Sequence, residues 1–402
     1  MGGMRIGSAL STNPNSLEAA EEALSRALTS LEGEAPQLTL LFFSVHHLPV
    51  IDQIAKVAAE AAAPGTLLGC TAQAVVGDGR EVEQGPAFSV WTANLGGAVI
   101  EPFTLAVANT DDGPTALGLP VIDPGTKAVI LLGDPYTFPA EILEQISADA
   151  PAVPIIGGMA SGGRGPGRHA LVLDGHVRSF GAVGVTIGGD VRIETLVSQG
   201  CRPIGTSYIV TAAEGNVIHS LAGTPPLERL RDLFGELSPE DQERANRGLH
   251  IGVVIDEYAT DFGPGDFLIR NVIGADQNTG AVAVGDEVHV GQTVQFHIRD
   301  ASAADEDLRS ALGVLELSRT GDPNRLAGAL MFTCNGRGSH LFGTPDHDID
   351  TVRRSIGQLP VAGMFCAGEI GQVGGKNFLH GFTASLALFI APASAEAGAG
   401  AD

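Results

Sequence analysis

The stretch Leu38-Thr-Leu-Leu-Phe-Phe-Ser44 is an apolar run of strand length, the pattern of a buried strand. A polar loop at His46-His47 follows it, then helical spacing over 51–60. Next come a short apolar run at Leu67-Leu68, a Gly-rich segment over 69–77 and a strand over 87–92. The same order recurs twice. Residues 128–132 lead through a loop at 133–138 to a helix around 139–146, then Ile155-Ile156, a Gly-rich segment over 157–165 and a strand over 169–173. Residues 329–333 lead through Cys334-Asn-Gly-Arg-Gly338 to a helix over 348–356, with apolar positions at 349, 352 and 356. Then come Val361-Ala362, a Gly-rich segment over 363–371 and a strand over 383–390.

Glycines set the register, because Gly69 and Gly77, Gly157 and Gly165, and Gly363 and Gly371 share one spacing. The third residue after the first glycine is small each time: Ala72, Ala160, Cys366. This predicts a repeated unit whose first strand ends in a polar loop, whose helix covers the sheet and whose second strand ends in a Gly-rich loop. Parallel strands joined this way place their loops together at the carboxyl ends, where ligands sit in α/β sheets. The expected fold is mixed α/β (α+β): two domains of mixed β-sheet covered by helices, with internally repeated strand–loop–helix–strand units.

Between the second and third repeats the texture changes. A hairpin is predicted around Glu214-Gly215-Asn216, a Thr-capped helix over 224–234 and another opening at Ser238. A second hairpin turns at 276–280, a half-buried strand covers 292–299 and a helix covers 302–317. The expected domains are 1–195 and 196–393, with a disordered tail over 394–402.

Length supports this division, since 402 residues exceed one compact core. The net charge of −24 would repel nucleic acids and anionic membranes, so neither is an expected partner. No secretory signal opens the chain, and no apolar run approaches the length of a membrane helix. Cys70, Cys201, Cys334 and Cys366 are widely spaced, which fits reduced thiols and a cytoplasmic protein rather than a disulfide framework. No metal or cofactor is expected.

Candidate chemistry gathers around the third repeat. Arg337, between glycines at a strand end, is the natural anion receptor; the plainer reading is an Arg that bridges two loops. Cys334, Asn335 and Gly336 flank it. Cys366, Gly368, Glu369, Asn377 and His380 follow within one polar segment, which would otherwise serve only to fix the loop's shape. Cys70, Thr71 and Ser161 stand in the matching segments of the first two repeats, and Arg270 is a second candidate anion contact. A catalytic alternative pairs Cys366 or Cys334 with His380 as its base; Ala72 and Ala160 at the positions matching Cys366 favour a small hydrophobe there instead. Gly162–Gly167 lacks the Lys-Ser/Thr of a phosphate loop.

The segment GMFCAGEIGQVGGKNFLHGFTASLALF (363–389) resembles the signature that closes the FIST C domain. CNGRG (334–338) and residues 265–300 resemble that domain too, and LLGCTAQAVVGDGREVEQGPAFSVW (67–91) resembles the FIST N domain. The resemblance extends over residues 4–391 and implies a stand-alone sensory pair that binds a small molecule, with amino acids as proposed ligands and an unidentified signalling partner. The expected ligand is thus an amino acid or other small carboxylate. A Cys/His acyl-transfer or amide-cleaving enzyme and a protein interaction scaffold are the alternatives.

Overall fold

The computed structural model describes residues 3–111, 113–259, 261–263, 265–322 and 324–392; the tail expected over 394–402 lies outside these. The first repeat comprises β1 (Arg5–Ser11), α1 (Ser16–Thr29), β2 (Leu38–Ser44), α2 (Ile51–Ala62), β3 (Thr66–Ala72), the hairpin β4 (Val75–Gly77) and β5 (Arg80–Val82), and β6 (Phe88–Asn94). Asn15 caps α1 by accepting from the backbone N–H groups of Leu17 and Glu18. The second comprises β7 (Gly97–Thr110), β8 (Gly113–Leu117), β9 (Thr126–Gly133), α3 (Glu141–Ser147), β10 (Ile155–Met159), the hairpin β11 (Leu171–Leu173) and β12 (His176–Arg178), and β13 (Ala182–Asp190).

The third repeat opens with β14 (Arg192–Ser198), after which the chain builds a separate barrel. The barrel elements are β15 (Cys201–Glu214), β16 (Val217–Leu221), α4 (Pro226–Glu236), α5 (Pro239–Arg247), β17 (Leu249–Val254), β18 (Phe267–Ala275), β19 (Val282–Val284) and β20 (Thr293–Arg299). The repeat resumes with α6 (Ala301–Ser318), β21 (Arg325–Cys334), α7 (Ser339–Phe342), α8 (His347–Ile356), β22 (Val361–Cys366), the hairpin β23 (Glu369–Val373) and β24 (Lys376–His380), and β25 (Ala384–Ala391). Two compact units result. One holds residues up to Val197, Leu308–Leu379 and those from Thr383 onward; the other holds Ser198–Asp307 and His380–Phe382.

In the first unit the three repeats share one pairing scheme. Strands β2 and β3, β9 and β10, and β21 and β22 pair in parallel, and β6, β13 and β25 each run antiparallel to the first strand of their pair. Each small hairpin then leaves its own sheet for another: β4 pairs with β22, β11 with β3 and β23 with β10. The exchange runs first repeat to third, second to first and third to second, closing a cycle of three mixed sheets.

The apolar runs have a direct explanation in this layout. Leu40 and Phe42, Ile130 and Leu132, and Leu330 and Phe332 point into one core shared by all three sheets. Their alternates, Leu41 and Phe43, Val129 and Leu131, and Ala329 and Met331, lie in three satellite cores with helical residues such as Ala23, Ile142 and Ile349. Strands buried on both faces carry no polar alternation.

Two expectations about the repeats need correcting. Gly69, Gly157 and Gly363 lie within β3, β10 and β22, not in loops. Each is opposite an equivalent residue of the parallel neighbour (Leu41, Leu131, Met331), and a Cβ on it would strike that residue's carbonyl oxygen. Residues 169–173 do not form the closing strand of the second repeat. That place belongs to β13, and Leu171–Leu173 is the exchanged strand β11.

The second unit is a closed six-stranded barrel in the order β15-β16-β19-β18-β17-β20. Its core includes Ile204, Val210, Ile251, Val294 and Phe296, joined by Leu233 of α4 and Ala245 of α5. Both predicted hairpins form. Ser238 caps α5, accepting from the Asp241 N–H, whereas α4 starts after Pro225 without a side-chain cap from Thr224.

Candidate functional site

The exchange of hairpins brings the ends of the three parallel strand pairs together. Equivalent backbone bonds run around this junction: Thr71 N–H donates to Ala170 O, Met159 N–H to Gly368 O and Phe365 N–H to Ala74 O. One step further on, Ser161 N–H donates to Thr71 O and Ala367 N–H to Met159 O. The third bond of that set is replaced by a relay. Gln73 N–H donates to Ser161 Oγ (2.8 Å), whose hydroxyl donates to Phe365 O (2.5 Å).

Above this ring lies a hollow of about 560 Å³, a size that suits a small ligand. Gln73, Ser161 and Ala367, which follow the three second strands, line it together with Pro135 and Asn335, which follow β9 and β21. The symmetry is broken where the ligand-sized space opens. Residues 73–74 link β3 to its hairpin and residues 367–368 link β22 to its own, but residues 160–170 link β10 to β11. This longer loop supplies Ser161, Gly162, Gly163, Arg164 and His169 to the wall.

A buried pair anchors the loop's return. His169 Nδ1 lies 3.2 Å from Asp134 Oδ2, and both side chains are almost wholly buried. The carboxylate needs a donor, which puts a ring proton on Nδ1; in the neutral ring Nε2 is then an acceptor. Nε2 makes no hydrogen bond among the described residues. Asp134 Oδ1 accepts from Tyr136 N–H (3.1 Å) and Thr137 Oγ1 (2.7 Å). The Tyr136 ring stacks on His169 at 5.8 Å, and its hydroxyl accepts from Gly165 N–H. Asn335 donates its backbone N–H to Cys366 O, while its side-chain Oδ1 is buried without a hydrogen-bond partner among the described residues. Arg164 is exposed and makes neither an ion pair nor a hydrogen bond among the described residues.

Of the residues singled out in the sequence, Ser161 and Asn335 line this hollow. Arg337 does not. Its guanidinium is fully buried, with Nε 2.6 Å from Asp348 Oδ2 and Nη2 2.8 Å from Asp348 Oδ1. Its backbone N–H bonds Cys334 O and so shapes the turn that presents Asn335. Gly336 N–H points to Cys334 Sγ (3.5 Å), and Gly368 O takes the Met159 N–H. Thr71 Oγ1 accepts from Ala170 N–H. Glu369 is buried and accepts from the backbone N–H and hydroxyl of Thr383. Asn377 ties β24 to the second repeat through Ile155, Val153 and Ser147. Cys70 and Cys366 are fully buried, and burial pushes both thiols up, away from thiolate character. His380 and Arg270 belong to the barrel unit, where Arg270 Nε pairs with Asp286 Oδ2 at 2.6 Å. The sequence reading missed Gln73, Tyr136, Arg164 and His169 as wall residues. The extra length between β10 and β11 was the available signal.

A second buried acid lies beside the Arg337–Asp348 pair. Glu81 on β5 accepts from Ile349 N–H at the start of α8, while Oε2 has no hydrogen-bond partner among the described residues. Burial and then the charge of Asp348 push its carboxyl up to about 8, with Asp346 and Glu83 adding to the effect. The folded state therefore holds a proton that the unfolded chain has released above its ordinary carboxylate range. Stability attributable to this group falls as pH rises from about 4.3 toward 8, with a slope of at most about 1.4 kcal/mol per pH unit. Glu81→Gln is expected to flatten that slope and to raise the urea midpoint at pH 8 relative to the parent. An unchanged slope between pH 5 and 8 would refute the assignment.

The arrangement defines a mixed α/β protein of three repeats with a polar, ligand-sized hollow at their junction. The chain belongs to the FIST family: the FIST N domain matches residues 37–224 and the FIST C domain residues 226–372. It is 46% identical over 389 residues to Uncharacterized protein Rv0628c of Mycobacterium tuberculosis, covering 96% of this chain and 100% of that protein. It is 44% identical over 388 residues to Uncharacterized protein Mb0898c of Mycobacterium bovis, covering 96% and 99%. FIST domains are associated with ligand binding in sensory signal transduction. Among the described residues, no helix is long and apolar enough to cross a membrane.

Proposed function

We propose that this protein is a sensory receptor for a small carboxylate, with an amino acid as its ligand, and that the ligand occupies the hollow at the repeat junction. One observation carries the reading: Arg164, whose guanidinium makes no ion pair among the described residues, shares a hollow with two polar atoms that make no hydrogen bond among them, His169 Nε2 and Asn335 Oδ1. Arg164 takes the ligand carboxylate as a planar fork. His169 and Asn335 accept from its ammonium group, and Ser161 and the Gly162–Gly163 backbone shape the wall. Arg337 acts through Asp348 by fixing the turn at Asn335. The four cysteines are free thiols, which supports a reducing, cytoplasmic setting. The acidic surface argues against nucleic acid or membrane as partner and leaves an unidentified protein to relay the signal.

A thermal-shift screen of amino acids and organic acids on the full chain tests this. A ligand at a hundred times its dissociation constant stabilises the fold by about 2.7 kcal/mol, a shift of several degrees. Arg164→Gln is expected to weaken the hit at least roughly tenfold, as loss of a charge-assisted bond does. A hit that binds Arg164→Gln and His169→Gln as tightly as the parent rules out this hollow. Silence across the screen rules out the ligand class.

A further inference from the structure

A second hollow, of about 600 Å³, lies in the same unit and shares no lining residue with the first. The hairpin β11–β12 and the turn after it form one side, and Thr104 of β7 and Val183 of β13 form the other. Leu173 and Phe180 give it an apolar edge, and Phe180 remains 49% exposed despite its size, beside the polar Thr104, Asp174, His176, Arg178 and Ser179. A large ring left exposed at the rim of a concavity is a surface that a ligand can cover.

One cation is set into this lining. The Arg178 guanidinium carbon sits 5.0 Å from the centre of the Phe180 ring. Arg178 is half-buried, and its Nη1 is fully enclosed without a hydrogen-bond partner among the described residues. Nor does the rest of its guanidinium form an ion pair or hydrogen bond among them. Several other arginines of this acidic chain have carboxylates, as Arg192 has Asp322 and Arg202 has Asp300. The one carboxylate in the lining, Asp174, uses Oδ1 to hold the Leu67 N–H and makes no ion pair with Arg178. Stacking on an aromatic face offsets part of the cost of burying a guanidinium, but its fork still lacks the acceptor that its geometry suits.

We propose that this hollow is a second binding site, for a small amphipathic monocarboxylate. The carboxylate meets the Arg178 fork, with the hydroxyls of Thr104 and Ser179 at hand. The short alkyl body lies on Leu173 and Phe180. It shares no wall residue with the first hollow, whose several polar groups suit a zwitterion. The inference does not depend on that reading.

Isothermal titration of the full chain with hexanoate, hexan-1-ol and acetate tests the proposal. Hexanoate is expected to saturate one site, with the alcohol and acetate weaker by roughly tenfold or more, because each lacks one half of the recognition. Arg178→Gln should weaken hexanoate by roughly tenfold or more, while Arg164→Gln at the other hollow leaves it within about twofold. Should Arg178→Gln fold poorly, Thr104→Glu serves instead: Thr104 is an exposed wall residue, and a carboxylate there should exclude hexanoate. No saturable heat with hexanoate overturns the proposal. So does equal affinity for hexan-1-ol, unchanged binding to Arg178→Gln or Thr104→Glu, or loss of binding in Arg164→Gln.

Discussion

Replacing Asp348 by asparagine is expected to destabilise the protein by about 3–5 kcal/mol, the cost of leaving a buried charge without its partner. Both side chains of the pair are completely excluded from solvent, and the carboxylate receives two guanidinium nitrogens at 2.6 and 2.8 Å. Asp348 also accepts from Thr333 Oγ1 and lies 3.0 Å from His347 Nδ1. Asparagine offers one acceptor oxygen and no charge, while Arg337 stays ionised at any accessible pH. Its Nη1 already lacks a hydrogen bond among the described residues, so little is left to hold the guanidinium. The double replacement Arg337→Met, Asp348→Leu should recover most of the loss, since apolar side chains of similar volume carry no desolvation cost. Urea unfolding at pH 7 compares the three proteins. Burial alone would raise the Asp348 carboxyl, but Arg337 beside it holds it well below the usual range. The pair's stabilisation is therefore present above about pH 4 and is lost only as pH falls through the depressed value. A double variant no more stable than Asp348→Asn would show that the charge is not the cause.

The same pair shows where sequence reading reached its limit. Arg337 was legible as a planar cation among glycines, and Asp348 as the opening of a helix. Nothing in the chain reveals that the second fills the fork of the first from eleven residues away. Arg164 also stands among glycines, but in a segment whose role became visible only beside its two counterparts. The three-repeat order was legible because each unit has local signals: a fully apolar strand, a helical period and a glycine register. The hairpin exchange was not, because β4 and β11 are three residues long and pair with strands distant in sequence. Leu171–Leu173 was read as a closing strand for that reason; an apolar run of three does not announce its partner.

The glycines were read as loop formers, the usual meaning of glycine inside an apolar pattern. Their true role is steric. Loops do meet at the hollow, but the glycines of the register lie below it, where the parallel strands approach.

Gly363→Ala is therefore expected to be among the most damaging single methyl additions in this chain, costing about 4 kcal/mol or more, at the severe end of point substitutions. A Cβ on Gly363 would stand 1.8 Å from Met331 O and 2.7 Å from its carbonyl carbon. These are backbone atoms of the paired strand, so no side chain can swing aside, and relief requires opening β21 from β22. Gly157→Ala meets Leu131 O at the same 1.8 Å and adds a φ of +153°, a conformation that alanine resists. Gly69→Ala is milder, with Leu41 O at 2.7 Å. A control separates crowding from a general effect of losing glycine. Gly313 sits within α6 with nothing within 4 Å of its added methyl, so Gly313→Ala should stabilise by up to about 1 kcal/mol through helix propensity. Urea midpoints of the four variants should rank Gly363 and Gly157 lowest, then Gly69, with Gly313 above the parent. If Gly69→Ala proves the worst, carbonyl crowding is not what holds these three positions to glycine. Because Gly363 and Gly157 sit in the strands that lead to Ala367 and Ser161, either variant, if it still folds, should also bind the amino acid proposed for the first hollow more weakly.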